Sequence, residues 1–180
     1  MHFASSAFIL TVVIRKGMSM ITVEKADPRS AASQLLISKL SAELAAITGD
    51  DGKSNFTMDS LEEERSLWVL ARNHRGEAVG CGAIRPLAGD IAELKRMFSD
   101  RSVPAIGNAL LSFLEKSALN MGYSQIWLET RSVNLKAVNF YQRKGYERIE
   151  NYGPYINRQD AVCFAKILSK NAIFSGIKTD

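Results

Sequence analysis

The sequence predicts a mixed α/β (α+β) domain: a mostly antiparallel sheet of about six to seven strands with helices on both faces. Three observations lead there. The strand-like runs SLWVLARN, AVGCGAIRPL and IAELKRMF follow one another through the turn-like segments HRGE and AGD, which reads as an antiparallel meander. Runs with helical apolar spacing lie before and after it, closing at Gly49, Gly122 and Gly145 as helices close on a left-handed residue. Two more strand-like runs finish the chain, giving the order β-α-α-β-β-β-α-β-α-β-β.

Each element has a local cause. Met20 to Glu24 is a short strand, and Asp27-Pro28 then offers an N-cap followed by proline at the first helical position. Leu35, Leu36, Leu40, Leu44 and Ile47 keep the helical spacing up to Thr48, where Gly49-Asp50-Asp51-Gly52 stops it. Residues 53–65 are polar, with a helical turn expected around SLEEE. After the meander, Val103 to Met121 places Ile106, Leu110, Phe113, Leu114 and Met121 on one helix face. QIWLET is a strand, Asn134 to Lys144 a helix, and YERIEN and AVCFAKIL are the closing strands.

Composition limits the function classes. The chain of 180 residues is 46% hydrophobic and 23% charged, which suits one globular domain with a substantial core. Its net charge of +4 is spread over single basic residues with no basic tract, which argues against nucleic acid and reads as weak steering toward an anionic small molecule. The two cysteines, Cys81 and Cys163, match neither a metal pattern nor a disulfide framework and read as buried, reduced thiols. The apolar run Ala7 to Ile14 falls well short of the roughly 20 residues that span a bilayer, and Arg15 and Lys16 follow it where a signal peptide has its charge in front. Residues 1–17 are therefore expected to be a misassigned start or an accessory extension, 18–170 a single domain, and 171–180 a tail. A cytoplasmic location and no membrane contact are expected.

The stretch MFSDRSVPAIGNALL poses a question about its helix start. A helix whose first turn carries few side chains leaves backbone N–H groups and the positive end of its dipole open to an anion such as a phosphate. An ordinary strand-to-helix connection, with Ser102 as cap and Pro104 in the first turn, is the other reading. Further on, Asn134, Ala137, Val138 and Tyr141 recur at i, i+3, i+4 and i+7 and share one helix face. That face is either the wall of a ligand site, with a small Ala137, an amide and a phenol, or a core face with Asn134 as N-cap.

AELKRMF (92–98), GNALL (107–111) and NLKAVNFYQRKGY (134–146), in this order, resemble the GNAT superfamily of N-acetyltransferases, and the resemblance runs from about Met20 to Leu168. It implies splayed strands that form a coenzyme A cleft. In that family the loop before the central helix reads Q/R-x-x-G-x-G/A; here Ser102 stands at the Gln or Arg, Ala105 at the first glycine and Gly107 at the second. The resemblance implies that the N–H groups of Ala105, Ile106, Gly107, Asn108 and Ala109 face the pyrophosphate of acetyl-CoA. It also implies that Met97, Phe98 and Ser99 hold the pantetheine arm, and that Asn134, Ala137 and Tyr141 line the cofactor. No metal is expected.

The reaction implied is direct attack of an amine on the thioester, with an N–H in the cleft polarising the carbonyl. Tyr141 is the expected acid for the leaving thiolate, and Glu93 the expected base, or else the ion-pair partner of Lys95. Arg85 and Arg96, on strands expected to be neighbours, suit a carboxylate on the acceptor, or are solvated strand-end charges. Tyr152 and Tyr155 line the acceptor pocket or form a stiff turn. A small-molecule amine is the expected acceptor, ahead of a protein amine, and a homodimer stays open. The alternative is a protein of this fold that binds coenzyme A or a metabolite without turnover, as a sensor or partner subunit.

Overall fold

A computed structural model describes residues 9–14, 19–54 and 56–169. Eight strands form one sheet: β1 (Leu10–Ile14), β2 (Ser19–Lys25), β3 (Leu67–Arg72), β4 (Ala78–Ala88), β5 (Ile91–Ser99), β6 (Gln125–Arg131), β7 (Glu147–Ile149) and β8 (Ala161–Ile167). Their order across it is β1-β2-β3-β4-β5-β6-β8-β7. Every neighbouring pair is antiparallel except β5 and β6. The strand additional to those read from the sequence is β1, which pairs with β2 from Leu10↔Val23 to Ile14↔Ser19. Residues 1–8 and 15–18, much of the expected extension, and 170–180, with the expected tail, lie outside the described residues. Among the described residues no helix is long and apolar enough to cross a membrane.

The period-2 alternation of β3 sets the layers. Trp68 and Leu70 pack with Leu36, Ile37 and Leu40 of helix α1 (Ala31–Thr48) on one face. Leu67, Val69 and Ala71 join Ile106, Leu110, Phe113 and Leu114 of helix α2 (Ile106–Asn120) on the other. Helix α3 (Leu135–Arg143) lies on the α2 face, where Tyr141 joins the same core. Each fully buried aliphatic side chain contributes about 1.5–3 kcal/mol. The buried indole N–H of Trp68 donates to Ser33 Oγ at 2.9 Å, and Ser33 Oγ donates to the Asp27 carbonyl at 2.7 Å, so both of these groups are satisfied.

Two helix starts differ from the expected ones. Asp27 closes a turn, accepting from the Ser30 N–H at 3.1 Å, so Ser30 becomes the N-cap of α1 and the helix begins at Ala31. Ser102 donates from both its N–H and its hydroxyl to Asp100 Oδ1, which takes it away from capping. As a result α2 begins at Ile106 rather than Val103, with Ala105 as a cap that makes no side-chain hydrogen bond.

β4 lies against α2 with two glycines at the contact. A Cβ on Gly80 would sit 2.6 Å from Ile106 Cγ2 and 2.8 Å from the Phe98 carbonyl oxygen. One on Gly82 would sit 2.7 Å from Met97 Sδ. The Gly80 contact includes backbone, so the strand or the helix must shift to admit a methyl. Gly80→Ala is expected to cost about 2 kcal/mol, a fall in Tm of roughly 4–8 °C by calorimetry. An unchanged Tm would show that α2 does not sit this close.

Candidate active site

β5 and β6 pair only over Ile91↔Gln125, Ala92↔Ile126 and Glu93↔Trp127. Beyond that point they part. On its other edge, β5 advances three residues, Phe98 to Lys95, against two on β4, Cys81 to Ala83. The extra residue makes a bulge at Arg96, whose φ is +54°. Bulges raise local twist, and here the twist swings the end of β5 away from β6. The gap is a cleft of about 610 Å³ lined by Leu94–Ser99 of β5, Leu128–Arg131 of β6, the start of α2, α3 and the end of α1 with its following loop.

At the α2 end of the cleft, Ala105 and Gly107 line it directly, with Asn108 beside them. Ala105 has φ +67° and Arg101 φ +61°, the left-handed region that costs an L-residue about 1–2 kcal/mol. This explains the glycine of the family pattern at position 105: the backbone there turns left-handed. The Ala109 N–H is already taken by the Ala105 carbonyl at 2.9 Å, which removes it from the expected donors. Ile106, Gly107 and Asn108 are first-turn residues whose N–H groups have no intrahelical acceptor. A Cβ added at Gly107 would be in van der Waals contact with the Phe140 ring at 3.4 Å, so the glycine keeps the first turn of α2 clear of that wall. Arg101 is bound away from the loop by Glu43 of α1, with Nη–Oε distances of 3.0 and 2.8 Å.

Along the wall, α3 presents Asn134, Ala137 and Tyr141 to the cleft, together with Asn139 and Phe140. Asn134 is also the N-cap of α3, its Oδ1 accepting from the Ala137 N–H at 3.3 Å, as one of the two sequence readings has it. Tyr141 packs edge-on against Phe140 and Tyr146. Burial raises its pKa, which keeps the phenol protonated. Met97 and Ser99 line the cleft, whereas the Phe98 side chain is in the α1-side core, leaving its backbone for the cleft.

At the α1 end the expected acceptor residues separate. Glu93, expected as the base, is 2% exposed and does not line the cleft. Its carboxylate accepts from Arg85 Nε and Nη2 at 3.0 and 2.8 Å and from the Tyr152 hydroxyl at 2.9 Å. The Lys95 ammonium stands 3.6 Å from it and donates to the Tyr155 hydroxyl at 2.8 Å. Glu93, Arg85, Tyr152, Lys95 and Tyr155 thus form one connected group, of which Lys95 and Tyr155 reach the cleft. Arg96 does not join Arg85: its bulged backbone sends the side chain under α1, donating to Ser41 Oγ at 3.0 Å and the Asp51 carbonyl at 3.2 Å. Burial lowers the pKa of Lys95 against the pull of Glu93.

Glu129 and Arg131 line the cleft as well, and neither stands out in the sequence reading. The signal was the period-2 face Trp127, Glu129, Arg131, opposite the buried Ile126 and Leu128 of the same strand. Both cysteines are buried free thiols, and burial pushes Cys81 up to about 12.

A profile of the Acetyltransferase (GNAT) family matches residues 37–146. The IAA acetyltransferase of Azospirillum brasilense is 28% identical over 141 residues, 77% of this chain and 92% of that protein. A candidate acyl-CoA N-acyltransferase of Klebsiella pneumoniae superposes with a TM-score of 0.70 at 27% identity, covering 83% of this chain and 98% of the other. An aminoglycoside 6'-N-acetyltransferase complexed with coenzyme A shares the fold, with a TM-score of 0.58 at 19% identity over 88% of this chain and 99% of the other. The matched span takes in the parted strands and the helices that wall them, and the chain belongs to the GNAT family of acetyltransferases.

Proposed function

We propose that this acetyltransferase moves an acetyl group from acetyl-CoA to the amine of a small molecule, by direct attack while both are bound. The observation that carries the reading is the parting of β5 and β6 after Glu93 and Trp127, which opens a cleft ending at the bare first turn of α2. A pyrophosphate is held there by the N–H groups of Ile106, Gly107 and Asn108, with the helix dipole behind them. The pantetheine arm runs along Met97–Ser99 as an added strand, against Asn134 and Ala137 on the other wall. The thioester then lies beside Tyr141, whose protonated phenol donates to the departing sulfur. The acceptor comes from the α1 end, where Lys95, Tyr155, Glu129 and Arg131 line the cleft.

A second reading has one observation of its own. Ala105 is held left-handed and Pro104 has no N–H to offer, so the anion cradle is less yielding than one built on glycine. A loop of that kind suits a protein that binds coenzyme A without turnover. Both readings expect coenzyme A to raise the Tm, and only the transferase releases free thiol from acetyl-CoA when amines are added. A thiol assay over an amine panel separates them.

Tyr141→Phe keeps the ring packing and removes the donor. It is expected to lower turnover about 100-fold with little change in acetyl-CoA affinity, because the donated proton matters mainly in the transition state. Unchanged turnover would take Tyr141 out of that role. Ala105→Gly is expected to raise unfolding stability by about 1 kcal/mol through relief of the left-handed alanine. The same change is expected to tighten acetyl-CoA several-fold by calorimetry. A variant with neither gain would show that the natural loop already presents its donors without strain.

A further inference from the structure

At the α1 end of the cleft two nearly buried charged side chains form an ion pair that no hydrogen bond closes. Glu129 Oε1 and Arg131 Nη1 are shut off from solvent, and each is without a hydrogen-bond partner among the described residues. They lie 3.4 Å apart on side chains 12% and 11% exposed. Both residues line the cleft. A buried charge lacking its hydrogen bonds is costly, and such groups gather where a ligand completes them.

The surroundings decide which ligand does so. Glu129 faces Lys95 of β5, Arg131 of its own strand, Tyr155, Arg158 and Asp160 from the segment before β8, and Cys163 across the β6–β8 ladder. Arg131 also reaches Asp50 Oδ2 at 3.3 Å and Asp160 Oδ2 at 3.6 Å. A simple amine would compete with Arg131 for the Glu129 carboxylate and give nothing back to the guanidinium. A molecule with an ammonium and a carboxylate close together completes both, the first on Glu129 and the second on the Arg131 fork with the Lys95 ammonium alongside. Burial raises the pKa of Glu129 against the pull of Arg131 and Lys95.

We propose that the acceptor is a small amino acid or related amino-carboxylate, its amine held and deprotonated by Glu129 and its carboxylate bound by Arg131 and Lys95. The inference rests on the acetyl-transfer reading above. The arriving ammonium gives one proton to Glu129, which returns it to solvent. The neutral nitrogen forms the N–C bond as the C–S bond breaks, nitrogen loses its second proton, and the sulfur gains one by way of Tyr141. The products are the N-acetyl amino acid, the thiol of coenzyme A and one released proton. Glu93, saturated by Arg85 and Tyr152, acts as a positioning residue for Lys95 and Tyr155.

The test measures thiol release from acetyl-CoA with amino acids and, in matched pairs, their α-carboxamides. The wild-type chain is expected to use the acids at least about tenfold better in kcat/KM, the order of one charge-assisted contact. Arg131→Gln erases that preference by raising the KM of the acids more than that of the amides, and Arg131→Lys restores part of it. Glu129→Gln lowers kcat about 100-fold and removes the acidic limb of the pH profile. Wild-type protein that uses acids and amides alike overturns the inference and leaves acetyl transfer standing; this comparison needs no variant. A second arm titrates N-acetyl amino acids and their amides into wild-type protein saturated with coenzyme A. If no amine releases thiol, carboxylate-dependent binding in that arm upholds the pocket and overturns the transferase reading. Absence of such binding overturns both.

Discussion

Everything at the site depends on one extra residue in β5. The bulge at Arg96 lets β5 keep its ladder with β4 on one edge while its far end turns away from β6 on the other. Parallel strands that separate within a sheet expose backbone donors and acceptors in the middle of the molecule, where water is scarce and an unpaired amide is expensive. A ligand that pairs with them as a strand removes that cost. The bulge also decides which side chains face which end, because it sends Arg96 under α1 and leaves Met97 turned toward Gly82 and α2.

The two ends of the cleft differ in how they handle charge. At the α2 end the loop's own side chains are engaged elsewhere, Arg101 by Glu43 and Ser102 by Asp100, which leaves its backbone N–H groups facing the cleft. Such a site recognises a phosphate by geometry and dipole. At the α1 end the charge is on side chains, several of them nearly closed off from solvent, and arranged as a connected group running from Arg85 through Glu93 to Lys95 and Tyr155. The desolvation of these groups is offset by their mutual pairing, and Glu129 and Arg131 beside them form an ion pair that no hydrogen bond closes among the described residues.

The strands and helices were legible because their apolar periods are clean, as in β3, where alternate residues enter opposite cores. The face shared by Asn134, Ala137 and Tyr141 was legible for the same reason. Helix starts were less so, since Asp27 and Ser102 each had a local partner that competed with capping. Of the two roles read for Glu93, the ion pair with Lys95 is present, at 3.6 Å, whereas its enclosure was not readable, because a carboxylate on a strand looks the same whether it faces a cleft or is held by Arg85 and Tyr152. Those two partners approach from β4 and from a segment 59 residues away, distances that no local pattern carries. Arg131 was missed because its strand was read as ending at Thr130, and Glu129, inside that strand, because nothing local sets it apart from a solvated carboxylate. Their importance lies in missing hydrogen bonds, which only coordinates reveal.

The central claim is that the parted strands and the first turn of α2 hold one cofactor together. Amide hydrogen exchange measured with and without acetyl-CoA tests this directly. The account predicts that the amides of Met97–Ser99 and of Ile106–Asn108 slow together, by about tenfold or more, since both segments gain hydrogen-bond partners from the same molecule. Acetyl-CoA that binds while those two segments exchange at their former rates would contradict it.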